Sequence, residues 1–322
     1  EISECLVGSE MCIRDRHNIM KPIEGLIVAP FTAFTETGEI NIGMIKEQAD
    51  FYKQNGLKGA FICGTTGESS ALTLSEKKLL FKEWSLQKTN DFKIIAFLGG
   101  TCVKECCELA HYAQKCNLDA IAVTAPYYFK PNNVKELADF CKSIAQSVPE
   151  MPFYYYHIPS FTNVYFPMID LLKEMDSHIP NLAGIKYTYE NMMDYQQCLE
   201  FKNHKYDILW GRDEMLLAAL AIGAKGAVGS TYGYMAPIYH KIMENYTQMN
   251  MEEARKYQSI AISFINLLSK YGGGTGKAFM LAAGLKLGTH RQPVTNLTPQ
   301  QYQSLQADLE KLQFTTYCNR SM

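Results

Sequence analysis

From residue 25 onward, short apolar runs alternate with amphipathic stretches of ten to sixteen residues, and no other feature of the chain restricts its fold as much. The runs fall at 26–31, 59–64, 93–98, 120–125, 152–157, 182–187, 207–210 and 226–229. Each is followed by a helical pattern, so the repeating unit is strand then helix. Eight such units in roughly 220 residues predict a (β/α)8 barrel of the TIM type. Helix starts are expected at Asn41, around Ser75-Glu76, at Thr101 and at Asn133, with Gly56 and Gly223 closing periodic runs as C-terminal caps. After the eighth unit the β signal stops. Helical patterns at about 251–270, 277–287 and 298–312 predict a three-helix C-terminal extension, reached through a bend at Gly272-Gly273-Gly274. The expected organisation is an appended segment over 1–19, the barrel with its active site over 20–245, and the helical extension over 246–316.

The competing architecture is a doubly wound open sheet, which shows the same alternation. Its G-x-G-x-x-G turn is missing after the first run, which continues Pro30-Phe31-Thr32-Ala33-Phe34. The segment Gly272-Gly273-Gly274-Thr275-Gly276-Lys277 has the outline of a phosphate loop. It lacks the leading glycine and the residue after the lysine is Ala278, and it follows a helix, so it predicts no nucleotide site.

A hydrophobic content of 47% provides for a sizeable core, and a formal charge of −2 leaves no basic surface for nucleic acid. No run of about 18 apolar residues exists, so no membrane span is expected. Residues 1–19 carry acidic side chains and no apolar h-region, unlike a secretory signal, and Met20 is the expected natural start. Ten irregularly spaced cysteines fit unpaired thiols in a reducing cytosol. Cys107 and His111 stand four apart and could share a helix face toward a metal, although buried free cysteine is the plainer reading.

Lys186, in Gly184-Ile185-Lys186-Tyr187-Thr188, lies late in an apolar run where a lysine is costly unless its amine has chemistry to do. Thirty residues upstream, Pro152-Phe153-Tyr154-Tyr155-Tyr156-His157-Ile158-Pro159 ends in a phenol before a proline stop. A strand-borne lysine and tyrosine point to Schiff-base chemistry with a proton shuttle. The alternative for Lys186 alone is an amine snorkelling from a strand end. Further polar residues fall at the ends of other runs: Thr65 and Thr66 in a glycine turn, Tyr128, Thr188, the Gly211-Arg212-Asp213-Glu214 segment, and Ser230. In a barrel these ends share one rim. Taken singly, the glycine segment is a tight turn, the acidic pair a helix N-terminus and the tyrosines packing. Together, a hydroxyl pair suits a carboxylate and an amine nearby suits the adjacent keto carbon of a 2-oxo acid. Burial lowers the lysine pKa toward the value that attack requires.

Gly64-Thr65-Thr66-Gly67-Glu68, Tyr156-x-x-Pro159, Gly184-Ile185-Lys186 and Gly229-Ser230-Thr231 together resemble the N-acetylneuraminate lyase and dihydrodipicolinate synthase superfamily of class I, pyruvate-dependent aldolases, over about 22–312. The resemblance implies a Schiff base on Lys186, a proton carried by Tyr156, a carboxylate held by Thr65 and Thr66, and a proton relay completed by Tyr128 at a neighbouring subunit. It assigns Thr188, Gly211, Asp213, Glu214 and Ser230 to the rest of the substrate, and it implies no metal or organic cofactor and a homotetramer of two tight dimers. Phe161 stands where the synthases usually carry an arginine for an acidic aldehyde, and Gly211-x-Asp213-Glu214 resembles the lyases' sugar-gripping motif. The expected reaction is therefore reversible cleavage of N-acetylneuraminate, a sialic acid, to N-acetylmannosamine and pyruvate. A sister aldolase with another aldehyde and a non-catalytic ligand-binding barrel are the alternatives. Two positions depart from the family pattern: Gly233 replaces an asparagine and Asn163 a glycine.

Overall fold

Each of the eight apolar runs forms a strand in the computed structural model, which describes residues 20–320. The strands are β1 (Gly25–Val28), β2 (Gly59–Ile62), β3 (Lys93–Gly99), β4 (Ala120–Thr124), β5 (Phe153–His157), β6 (Leu182–Tyr187), β7 (Asp207–Trp210) and β8 (Gly226–Gly229). All neighbours pair in parallel, and β8 pairs back onto β1, closing the barrel and excluding the open sheet. The expected appended segment, 1–19, lies outside the described residues.

Strand parity divides the core in two. Ile27, Phe61, Ile95, Phe97, Ala120, Ala122, Tyr154, Tyr156, Leu209 and Val228 fill the barrel interior. Their neighbours, such as Tyr155, Ile185, Tyr187 and Trp210, pack outward against the helices. Tyr156 pairs with Lys186 across β5 and β6, so both project inward while His157 and Tyr187 project outward.

Helix Leu74–Ser85 begins with a capping box in which Thr73 Oγ1 accepts from Glu76 N–H at 3.2 Å and Glu76 accepts from Thr73 N–H at 2.8 Å. Asn133 caps Val134–Ala145 as expected. Asn41 and Thr101 do not cap: those helices run Met44–Gln54 and Val103–Lys115, with Gly43 and Cys102 at the N-cap and no side-chain bond. Gly56 and Gly223 both take positive φ after their helices.

Past β8 come Tyr232–Thr247, Met251–Tyr271, Thr275–Ala282, Pro299–Lys311 and the short Phe314–Tyr317. The helix expected to 287 stops at Ala282, where Gly284 (φ 108°) turns the chain, and Gly288 (φ 76°) turns it again further on. Leu285 and Leu287, beyond its end, are nonetheless buried and prolong the apolar run. Asn163 takes φ 54°, a left-handed residue that explains the glycine usual there and which asparagine tolerates. Gly233 packs on Val28, whose Cγ2 would lie 3.2 Å from an added Cβ. Among the described residues no helix is long and apolar enough to cross a membrane.

Candidate active site

At the C-terminal ends of the strands a cavity of about 210 Å3 opens, walled by Thr65, Thr66, Tyr156, Lys186, Thr188, Gly211, Asp213, Glu214 and Ser230 among others. These are nine of the ten residues singled out in the sequence. The tenth, Tyr128, follows β4 and is 79% exposed beside Phe129, away from the cavity of its own chain. Phe161 is likewise exposed and outside the cavity wall.

Lys186 is 4% exposed, and its Nζ lies 3.9 Å from the centre of the Tyr156 ring and 4.1 Å from that of Phe61. The two rings favour a cation, but loss of water dominates and lowers the amine to about 7, with Asp213 opposing the shift. At neutral pH much of the population is therefore a free amine. Tyr156 is held edge-to-face between Phe61 and Phe97 at 5.4 and 5.7 Å. Its hydroxyl stands 3.4 Å from Thr65 Oγ1, and burial pushes it up to about 12 with the Thr65 and Thr188 hydroxyls pulling the other way. Thr65, Tyr156 and Lys186 thus form a continuous path across β2, β5 and β6.

Thr188 packs on Gly211, where a Cβ would come within 1.9 Å of its Oγ1. That buried hydroxyl has no well-aligned partner among the described residues.

Asp213 does not reach openly into the cavity. Its Oδ2 accepts from Thr231 N–H and Oγ1–H at 3.0 and 2.6 Å, while Gly229 leaves the space its carboxylate fills. Burial raises its pKa, opposed chiefly by the Thr231 hydroxyl. Gln258, from the helix Met251–Tyr271, donates to the Asp213 carbonyl at 3.2 Å and accepts from Leu217 N–H at 3.0 Å. Ile265 and Leu268 of that helix also line the cavity, so its wall includes the C-terminal helices as well as the barrel. Glu214 is more open and faces Arg212 at 3.2 Å, whose other terminal nitrogen pairs with Glu190.

Arg212, Thr231 and Phe61 were not singled out from the sequence. Arg212 and Thr231 lie in segments that were, but nothing local tells an arginine clamped by two glutamates from an exposed one.

The cysteine and histidine pair has another use: His111 Nδ1 bonds the Cys107 carbonyl at 2.7 Å. Among the described residues no group of three or more His, Cys, Asp or Glu could hold a metal ion.

Residues 22–312 match the dihydrodipicolinate synthetase family. N-acetylneuraminate lyase of Mus musculus is 38% identical over 301 residues, covering 91% of this chain and 94% of the mouse protein. The Rattus norvegicus enzyme of that name is 37% identical, covering 92% of this chain and 95% of its own. The structure of Proteus mirabilis N-acetylneuraminate lyase superposes with a TM-score of 0.88 at 34% identity, covering 91% of this chain and all of that one.

Proposed function

The chain belongs to the dihydrodipicolinate synthetase family, and we infer that within it the protein is a class I aldolase that reversibly splits N-acetylneuraminate into N-acetylmannosamine and pyruvate. The observation that carries the chemistry is Lys186, an amine lowered to about 7 inside an apolar barrel and stacked on the phenol that shuttles protons. The sugar is argued from the lyase relatives and from the polar distal wall of Thr188, Glu214 and Ser230.

The Lys186 amine attacks the keto carbon of the open-chain acid while Thr65 and Thr66 hold its carboxylate. The carbinolamine hydroxyl leaves as water with the proton of Tyr156, leaving an iminium and a phenolate. The phenolate takes the proton of the C4 hydroxyl, the C3–C4 bond breaks into the iminium, and N-acetylmannosamine departs as the aldehyde. Tyr156 then protonates C3 of the enamine, and water releases pyruvate and the free amine. Each proton lost by Tyr156 is recovered within the cycle.

The exposed Tyr127, Tyr128 and Phe129 support assembly in which Tyr128 serves a neighbouring copy's site, within a homotetramer of paired dimers. Eight free cysteines among the described residues support a cytoplasmic location. Residues 20–245 are assigned as the barrel unit and 246–316 as its helical extension. Pyruvate release from N-acetylneuraminate, coupled to lactate dehydrogenase, tests the function. Release that disappears in Lys186→Ala supports both reaction and nucleophile; no release from folded protein moves the assignment to another aldehyde.

A further inference from the structure

The phosphate-loop-like segment at 272–277 ends in a lysine whose charge is met by the protein itself. Lys277 is buried, its Nζ 3.1 Å from Glu68 Oε1 and donating to the Thr289 carbonyl at 2.7 Å. His290 Nδ1 bonds the same Glu68 oxygen at 2.8 Å, and Arg291 N–H donates to Oε2 at 2.9 Å. Phe34 underlies both cations, 4.4 Å from Lys277 Nζ and from the Arg291 guanidinium. The Arg291 side chain continues to Glu76, Gly38 and Ala71. None of Glu68, Lys277 and His290 lines the cavity.

Glu68 closes the turn that carries Thr65 and Thr66. That turn is flanked by two left-handed non-glycine residues, Cys63 at φ 55° and Glu68 at φ 59°, a backbone that persists only where its surroundings hold it. Thr32 Oγ1–H holds the Gly67 carbonyl at 2.7 Å, and a side chain at Gly67 would press on Cys63 Cα. A buried ion pair contributes little net stability once both charges are desolvated. What this one supplies is a single geometry for the turn.

We propose that Glu68, Lys277 and His290 are positioning residues that lock the Thr65–Thr66 turn, so that affinity for the carboxylate end of a 2-oxo acid is set from the C-terminal segment. This rests on the reading of Thr65 and Thr66 as carboxylate holders. The test is borohydride trapping of the iminium on full-length protein, with pyruvate and, in parallel, with hydroxyacetone, a ketone that has no carboxylate.

In Glu68→Gln and Lys277→Met the half-saturating pyruvate concentration rises about tenfold or more, while hydroxyacetone trapping stays within about twofold of wild type. Equal losses with both ketones, or unchanged pyruvate affinity in folded variants, overturn the proposal. If those two variants fail to fold, His290→Leu decides: losing its bond to Glu68 must weaken pyruvate relative to hydroxyacetone, and an unchanged ratio overturns the proposal. Wild-type protein that hydroxyacetone labels but pyruvate does not would defeat the carboxylate reading and the proposal with it. That failure is recognised without any variant.

Discussion

Lys186→Met removes the amine but keeps most of the methylene packing, and it should make the protein inactive and more stable. Burial takes Lys186 from 10.5 to about 7. At about 1.4 kcal/mol per pH unit, the protonated amine costs the folded state about 5 kcal/mol below pH 7. The unfolded chain keeps this proton up to pH 10.5, whereas the folded chain releases it near 7. Between those values the unfolded state binds this proton and the folded state does not, so the Lys186 contribution to wild-type stability rises with pH by about 1.4 kcal/mol per unit. The advantage of the methionine variant is therefore largest below pH 7, falls to about 2 kcal/mol at pH 9 and vanishes above 10.5. Urea unfolding of both proteins at pH 6.5 and pH 9 measures it, since a shifted midpoint at constant slope reports stability alone. A variant less stable than wild type at pH 6.5, or a difference that ignores pH, would refute the argument that desolvation sets this amine's pKa.

Borohydride trapping with pyruvate should rise between pH 6 and pH 8 with a midpoint near the Lys186 value of about 7, and a flat profile would show that amine neutrality does not limit attack. Tyr156→Phe should lower turnover about 100- to 10,000-fold while iminium trapping persists in part, because the phenol moves protons that the amine cannot; unchanged turnover would assign the proton to another group. Gly229→Ala brings a Cβ within 1.9 Å of Asp213 Oδ1, so it should displace that carboxylate from Thr231 and cost about 1–3 kcal/mol. A wild-type melting temperature in that variant would mean the wall yields at no cost.

Much of this molecule is written locally. The capping box of Thr73 and Glu76 spans four residues, and the strand runs of β6, β7 and β8 are bounded by their own composition, so both are legible without tertiary information. Lys186 is conspicuous for the same reason, as a charge in an apolar run. Local signals also mislead. Leu285 and Leu287 prolong the apolar run although the helix has already ended at Ala282, ahead of the positive-φ Gly284, and Asn41 precedes a helix that it does not cap.

The run from Phe153 to His157 shows where local reading stops. Its composition announces a buried strand, yet only the register of β5 against β4 and β6 decides that Tyr154 and Tyr156 face inward and Tyr155 outward. Likewise Gly211-Arg212-Asp213-Glu214 marks a strand end, but Thr231 and the gap at Gly229 turn Asp213 into the wall and leave Glu214 more open. Glu68 meets His290 across 222 residues, a pairing no spacing rule anticipates. The order of the elements and the residue types at the strand ends were thus determined by the sequence itself, because backbone preference and hydrophobic period act over a few residues. Which of those groups meet, how deeply they are buried and hence which carry a proton were decided by closure of the barrel, because desolvation and charge pairing depend on neighbours in space.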